Sequence, residues 1–298
     1  MTAPRQVLPG TTYLVTRRCS QRQFLLTPSP IANGVFLYIL SVAARRFGIR
    51  VHAFCVLSNH FHLVVTDPDS RLPAFEQYLD ALVARALNAS LGRWESFWAP
   101  SSYSAVALVS PADVLDKIAY VLANPVAAGL VRSGREWPGL WSAPEAIGAD
   151  AIAAPRPNTF FRANGYMPET AQLELAVPAG FESRAAFLDR LRPALHALEE
   201  RARCERASRG RGFLGRRRLL AQKPWRRPAP GEPRRKLAPR VAARDTWKRI
   251  EVLARLVGFV DEYRSAWRAF RAGARDVVFP AGTYGLRVTM GVRCAPPA

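Results

Sequence analysis

An α+β fold is what the first half of this chain predicts, on three observations. Runs rich in Val, Ile, Thr and aromatic residues recur near residues 11–19, 50–57 and 60–66. Between them lie segments whose apolar residues repeat at helical spacing. From residue 11 to residue 125 the segments read in the order β-α-β-β-α-β-α. That order fits one antiparallel sheet with helices on one face, the ferredoxin or RRM-like arrangement. A basic, mostly helical C-terminal extension comes after it.

Each element has its own reason. Residues 11–19 hold Thr, Tyr and Val, with Arg17 and Arg18 near the end. Ile31, Val35, Ile39 and Val42 repeat every three or four residues, and Gly48 comes next as a stop. Residues 50–57 and 60–66 form two strands broken at Ser58-Asn59, a polar hairpin turn. Phe75, Leu79, Leu82, Val83, Ala86 and Leu87 mark a second helix that closes near Gly92. Residues 103–109 read as another strand. Ser110 is a good N-cap, Pro111 suits the first helical position and Asp113 can answer in the first turn. Pro125 is expected to end this third helix, because the residue before a proline is pushed out of the helical region.

Composition changes beyond about residue 141, and a domain boundary is expected near 148, between residues 1–148 and 149–298. Residues 149–157 are Ala/Pro-rich and read as a linker. Residues 181–203 and 246–270 read as helices, and residues 277–292 have room for one or two strands. The segment of about 205–242 is basic and Pro-rich, and is expected to be extended or disordered when free.

The 298 residues carry a formal charge of +20. Residues 199–249 hold 18 Lys/Arg against 5 Asp/Glu, a net of +13. Such a balance points to a polyanionic partner. No apolar run of about 20 residues accompanies it, so nucleic acid is favoured over a membrane. The four cysteines (Cys19, Cys55, Cys204 and Cys294) show no CxxC spacing, which argues against a zinc ribbon or a disulfide framework. No secretory segment is read at the N-terminus, and the expected location is the cytoplasm, in association with the nucleoid.

His60-Phe61-His62 is the pattern with most chemistry in it. Residues i and i+2 of a strand face the same way, so the two imidazoles suit gripping one metal ion. Tyr120 and Asn124 lie at i and i+4 of the third helix and share a face. If that face meets the strand, two imidazoles and an amide oxygen surround a point next to a phenol. Asn124 also has a plainer reading, since Asn is favoured at helix ends. A divalent cation with a positioned phenol is a set that can cleave DNA through a phosphotyrosine. Mixed N/O ligation suits Mg²⁺ or Mn²⁺.

The chain resembles the single-tyrosine HUH transposases, in particular their REP-associated, insertion-sequence-200-like branch. The matching stretches are Gly10-Thr-Thr-Tyr-Leu-Val-Thr-Arg17, Asn59-His-Phe-His-Leu63, Arg85 with Asn88 before Gly92-Arg93, and Tyr120-Val-Leu-Ala-Asn-Pro-Val-Ala-Ala-Gly-Leu-Val131, with Trp137 and Trp141-Ser142 closing the region. They span roughly residues 5–145. The resemblance implies an RRM-like fold, Tyr120 as nucleophile, a divalent metal at His60 and His62, Asn124 as third ligand, and hairpin-forming single-stranded DNA as substrate. The chain departs from the family after Trp98, where Ala99-Pro-Ser-Ser replaces a frequent basic residue, and in its long basic extension.

Arg17, Arg85 and Arg93, with Trp94 and Trp98, are candidates to grip phosphates and stack on bases; the alternative is solvated charge beside core aromatics. Arg217, Arg226 and Arg235 are the candidates in the basic run, with Trp225 as a further stacking residue. The leading function is metal-dependent nicking and strand transfer of single-stranded DNA. The alternative is a catalytically silent regulator that binds single-stranded DNA or RNA. A two-histidine phosphoesterase needs a second His-containing motif that this chain lacks. A single-tyrosine enzyme must make two cuts, so a homodimer is plausible.

Overall fold

The computed structural model of the chain describes residues 4–100, 102–162, 164–229 and 239–297. Arg235 therefore lies outside the described residues. The first half contains β1 (Thr11–Arg18), α1 (Pro30–Phe47), β2 (Arg50–Leu57), β3 (His60–Asp67), α2 (Leu72–Ser90), β4 (Ser104–Leu108) and α3 (Pro111–Ala127). The second half contributes β5 (Ile152–Pro155), β6 (Thr170–Leu173), α4 (Arg184–Ser208), α5 (Arg216–Leu220), β7 (Val241–Ala242), α6 (Thr246–Arg271), β8 (Val278–Phe279), α7 (Gly285–Met290) and β9 (Arg293–Cys294).

The main sheet runs β2-β3-β1-β4-β7. Its first four strands are antiparallel neighbours, and β7 joins parallel to β4. The α+β class and the mostly antiparallel sheet are as expected. The helices, however, lie on both faces. Phe61 packs edge-on against Phe36 of α1, at 5.1 Å between centroids, whereas the next residue, His62, meets Tyr120 of α3 at 5.7 Å. Successive side chains of a strand point to opposite faces, so α1 and α3 cover opposite sides of β3.

The helix ends are held as their sequences suggest. The Ser29 hydroxyl accepts from the Ala32 N–H, and Gly48 closes α1 with φ of 67°. The Asp67 carboxylate, at the end of β3, accepts from Arg71 N and Leu72 N and so caps α2. Ser110 and Asp113 form a reciprocal capping box on α3. Pro125 does not end α3, which continues to Ala127. The bias against helix before a proline is small beside the packing here: Asn124, Pro125 and Val126 are all buried. The chain turns at Gly129, where φ is 72°, and the Leu130 N–H reaches back to the Pro125 carbonyl.

Residues expected to be a linker form β5, paired with β6. Ala154, Ala171 and Leu173 are buried in the main core, so a small-residue segment that reads as a spacer instead packs closely beside α1. Phe187, Leu188 and Leu191 of α4 and Leu219 of α5 belong to the same core as the first half. In the basic segment, the Phe24 N–H donates to the Arg226 carbonyl and Ser58 Oγ to Gln222 Oε1. The end of the chain forms two short strands, β8 and β9, with α7 between them, around a small second core of Ala266, Phe279 and Val292. Among the described residues, no helix is long and apolar enough to cross a membrane.

The β2 edge of the sheet is covered, and β7 extends the other side beyond β4. The Val56 N–H donates to Leu140 O and the Ser142 N–H to Phe54 O along the outside of β2. Trp137 Nε1 donates to Val56 O, and Trp141 Nε1 to Leu122 O of α3. The Trp-Ser element thus ties the β2 edge to the helix that carries Tyr120.

His52 interrupts the β2–β3 register between Val51 and Ala53. Its Nδ1–H donates to the Ala176 carbonyl and its Nε2 meets Thr66 Oγ1, both at 2.7 Å. Burial pushes its pKa down to about 4, against the pull of the Ala176 carbonyl. An imidazole kept neutral in the fold stabilises fully above its unfolded pKa of about 6.5 and loses that contribution as pH falls towards 4. By pH 4.5 the loss from His52 is about 2–3 kcal/mol. His52→Gln is expected to flatten the fall in unfolding free energy between pH 7 and pH 4.5 by about that amount, measured by denaturant titration. An unchanged slope would contradict a neutral buried imidazole.

Candidate active site

The site is built on one face of two neighbouring strands. In the β1–β3 register Thr16 stands opposite His62 and Arg18 opposite His60. His60 and His62, two residues apart, share that face, with their rings 4.9 Å apart and perpendicular. Each ring is oriented through Nδ1. Thr16 Oγ1 lies 2.7 Å from His62 Nδ1, and Asn59 Oδ1 lies 2.7 Å from His60 Nδ1. With its amide nitrogen on the Arg22 carbonyl, Asn59 presents its oxygen to His60, which makes that nitrogen the protonated one. No bond to either Nε2 is found among the described residues. The His60 Nε2 is thereby left as a lone-pair donor, and the His62 Nε2 takes the same role when the Thr16 hydroxyl accepts from Nδ1.

The histidines stay neutral well below their usual range. Burial pushes the His60 pKa down to about 4, with the Arg18 and Arg22 guanidinium groups adding repulsion. His62 is also held well below the usual range, by burial, then His60, then Arg18. The surroundings of the pair are thus electropositive and suited to an anion.

The third helix faces this pair. Tyr120 is 43% exposed, with its ring 5.7 Å from that of His62. Lys117, one turn earlier, holds Nζ 5.7 Å from the centre of the Tyr120 ring. Asn124 is buried, and its backbone carbonyl accepts from the Ala128 N–H within α3. His60, His62, Tyr120 and Asn124 line a single cleft of about 760 Å³, together with Thr16, Arg18 and Arg22. No group of three His, Cys, Asp or Glu able to hold a metal occurs among the described residues. A cation bound here would therefore take two imidazole nitrogens and complete its shell with the Asn124 amide and water. Two oriented imidazoles on one wall of the cleft fit such an ion.

The other residues singled out in the sequence lie elsewhere. Arg17 points to the opposite face of β1, where Nε pairs with Asp80 of α2 at 3.1 Å. Burial pushes the Asp80 carboxyl up to about 7, against the opposing charge of Arg17. Arg85 bonds back to the Ala81 carbonyl of its own helix. Arg93 is held by Gln23 and Glu95. Trp98 is core, with Nε1 on the Asp80 carbonyl, while Trp94 is 90% exposed. Arg217 and Arg226 are exposed and do not line the cleft.

Sequence reading passed over Arg18, Arg22, Thr16 and Asn59. Strand alternation was the available signal. Once the histidines face the cleft, antiparallel pairing puts every second residue of β1 there with them, and Arg18 rather than Arg17 has that parity.

No family model matches the chain, and no curated protein does. Among solved structures it is similar to a REP-associated tyrosine transposase bound to a REP hairpin, at 20% identity over 47% of this chain and 81% of that one, with a TM-score of 0.40. It is also similar to a provisionally assigned transposase from Deinococcus radiodurans R1, at 22% identity over 36% of this chain and 85% of that one, with a TM-score of 0.29.

Proposed function

We propose that this chain is a single-tyrosine DNA strand-transfer enzyme of the HUH transposase type, acting on single-stranded or hairpin DNA. The observation that carries the reading is the meeting of Tyr120 with His60, His62 and Asn124 in one electropositive cleft. That convergence requires residues about 60 positions apart to share a site, and the motifs that resemble the family supply all four.

The reaction can be derived from the groups in the cleft. The Tyr120 oxygen attacks the scissile phosphorus in line with the 3′ oxygen. The P–O3′ bond breaks as the Tyr120 O–P bond forms, giving a 5′-phosphotyrosine and a free 3′ hydroxyl. The phenolic proton passes to water, and the departing 3′ oxygen takes one from water. One phosphodiester replaces another, so the step reverses without a nucleotide cofactor. Arg18 and Arg22 draw the phosphate to the histidine face, and Lys117 adds positive charge beside the attacking ring. Mg²⁺ or Mn²⁺ held by His60, His62 and Asn124 would, when bound, polarise the phosphate oxygen and offset charge in the transition state. Thr16 and Asn59 orient the imidazoles, and the Asn59 oxygen holds the His60 proton on Nδ1.

The deciding experiment uses labelled single-stranded hairpin DNA from the flanks of the gene, with Mn²⁺ or with EDTA, on a denaturing gel. A metal-dependent protein–DNA band is expected, absent from Tyr120→Phe and lowered at least about 100-fold in His60→Ala and His62→Ala. A band that persists in Tyr120→Phe would rule out this nucleophile. Tight binding with no band on any flanking strand would favour a silent binding protein.

Thr16→Val removes the partner of His62 Nδ1 with little change of shape. Mn²⁺ affinity by titration calorimetry should fall about 10–100-fold while circular dichroism is unchanged. Since burial keeps His60 and His62 neutral, Mn²⁺ affinity at pH 5.5 should stay within a few-fold of its value at pH 7.5. Two histidines of ordinary pKa would instead lose about 100-fold over that range.

A further inference from the structure

Three segments far apart in sequence meet beside the cleft. Residues 19–24 follow β1, and Arg22 among them lines the cleft with His60. Gln21 and Arg22 are left-handed, with φ of 49° and 59°, and the Arg22 carbonyl accepts from the Asn59 side chain. The two residues after Arg22 hold the other segments. Gln23 Oε1 accepts from Arg93 Nη1 at 3.4 Å, in the turn that follows α2. The Phe24 N–H donates to the Arg226 carbonyl at 2.9 Å, in the basic extension. The Ser20 N–H adds a bond to the Phe97 carbonyl.

Each of these two turns displays a tryptophan. After α2 the Arg93 N–H reaches back to the Asn88 carbonyl, Gly92 has φ of 62°, and the Asn88 side chain donates to the Glu95 carbonyl. That closed loop leaves Trp94 90% exposed. In the extension, Lys223-Pro-Trp-Arg226 is a tight turn, closed by the Arg226 N–H on the Lys223 carbonyl, with Pro224 at its second position. It leaves Trp225 65% exposed. An indole held in water forfeits a large gain from burial. Neither ring sits on a loose end, because backbone bonds close both turns. Charge decides what the rings fit. Residues 19–24, 88–98 and 222–229 hold Arg22, Arg93, Lys223, Arg226 and Arg227 against Glu95 alone. Cations interleaved with exposed rings suit a single nucleic-acid strand, whose phosphates meet the charges and whose unpaired bases offer a face to each ring.

We propose that the Trp94 and Trp225 turns form a stacking platform for unpaired bases of the strand that enters the cleft past Arg22, with Arg226 and Arg227 against its phosphates. Neither tryptophan lines the cleft that holds Tyr120, so the platform is a separate surface beside it. Through Trp225 it gives the C-terminal extension a part in recognising the strand. The inference rests on the strand-transfer reading for the identity of that strand, and is tested without any cleavage.

The test uses the full-length protein and fluorescence anisotropy in EDTA, across a salt series. The probes are a labelled unpaired oligonucleotide and one of the same length whose nucleotides are all abasic. Trp94→Ala and Trp225→Ala should each weaken binding of the intact strand at least about 5-fold, with the slope of log affinity against log salt unchanged. Neither should change binding of the abasic strand. Trp94→Phe and Trp225→Phe should keep most of the affinity, since a phenyl ring still stacks. Arg226→Gln should weaken binding of both strands and make the slope shallower by about 0.7, one phosphate contact. Equal losses on intact and abasic strands, or an unchanged affinity in either alanine variant, would overturn the proposal. A change of oligomeric state in the alanine variants by sedimentation velocity, with DNA binding intact, would also overturn it and mark a contact between copies of the chain. If the native protein forms the covalent band while the alanine variants bind as it does, the platform is wrong and the enzyme reading stands. If the variants behave as expected and no band ever forms, the platform stands and the reaction does not.

Discussion

The antiparallel pairing of β1 with β3 is the constraint on which this site depends. Its register sets Thr16 beside His62 and Arg18 beside His60, and sends Phe61 and Arg17 to the opposite face. A slip of one residue would exchange the two sets, placing imidazoles in the core and Phe61 in the cleft. The core prevents that slip. Phe61 is 1% exposed and packs against Phe36 and Trp98, so its burial fixes the phase of the strand and thereby the direction of both histidines.

The second requirement is that α3 be held at a fixed height over that face. Its start is fixed by the Ser110–Asp113 box and its middle by the Trp141 indole on the Leu122 carbonyl. Asp113 is used twice: one carboxylate oxygen serves the cap and the other takes the Arg244 N–H. The cap of the tyrosine helix is therefore also the mooring of the C-terminal extension. Tyr120 and Asn124, one turn apart on this helix, inherit their positions from these contacts at its start and middle.

Much of this was legible in the sequence. The His-x-His spacing, the Tyr-x-x-x-Asn spacing and the Ser-Pro-x-Asp helix start each state a local geometry that the fold keeps. What was not legible depended on tertiary contact. The choice between Arg17 and Arg18 required knowing which face of β1 is buried. The Ala/Pro-rich segment at 149–157 looked like a spacer because its small residues carry little hydrophobic signal, yet smallness is what lets β5 lie close to α1. Pro125 looked like a stop because the sequence does not display the packing that offsets its cost. The basic extension read as bulk charge, whereas Arg240 takes a particular place because the strand after it completes a sheet edge.

The N-terminal segment is joined to the end of the chain. The Val7 N–H donates to the Gly282 carbonyl, and the Gln6 side chain reaches the Ala281 carbonyl, 275 residues away in sequence. Contacts so distant form late, because the loop they close is long. During synthesis the sheet, the histidine face and the tyrosine helix emerge first, while the strand and helix that complete the cleft are still unmade. The face that carries His60, His62 and Tyr120 thus precedes, in order of synthesis, the segment that lines the rest of the cleft. The side of the cleft lined by Val241, Val252 and Leu256 is added only when β7 and α6 join the residues made before them.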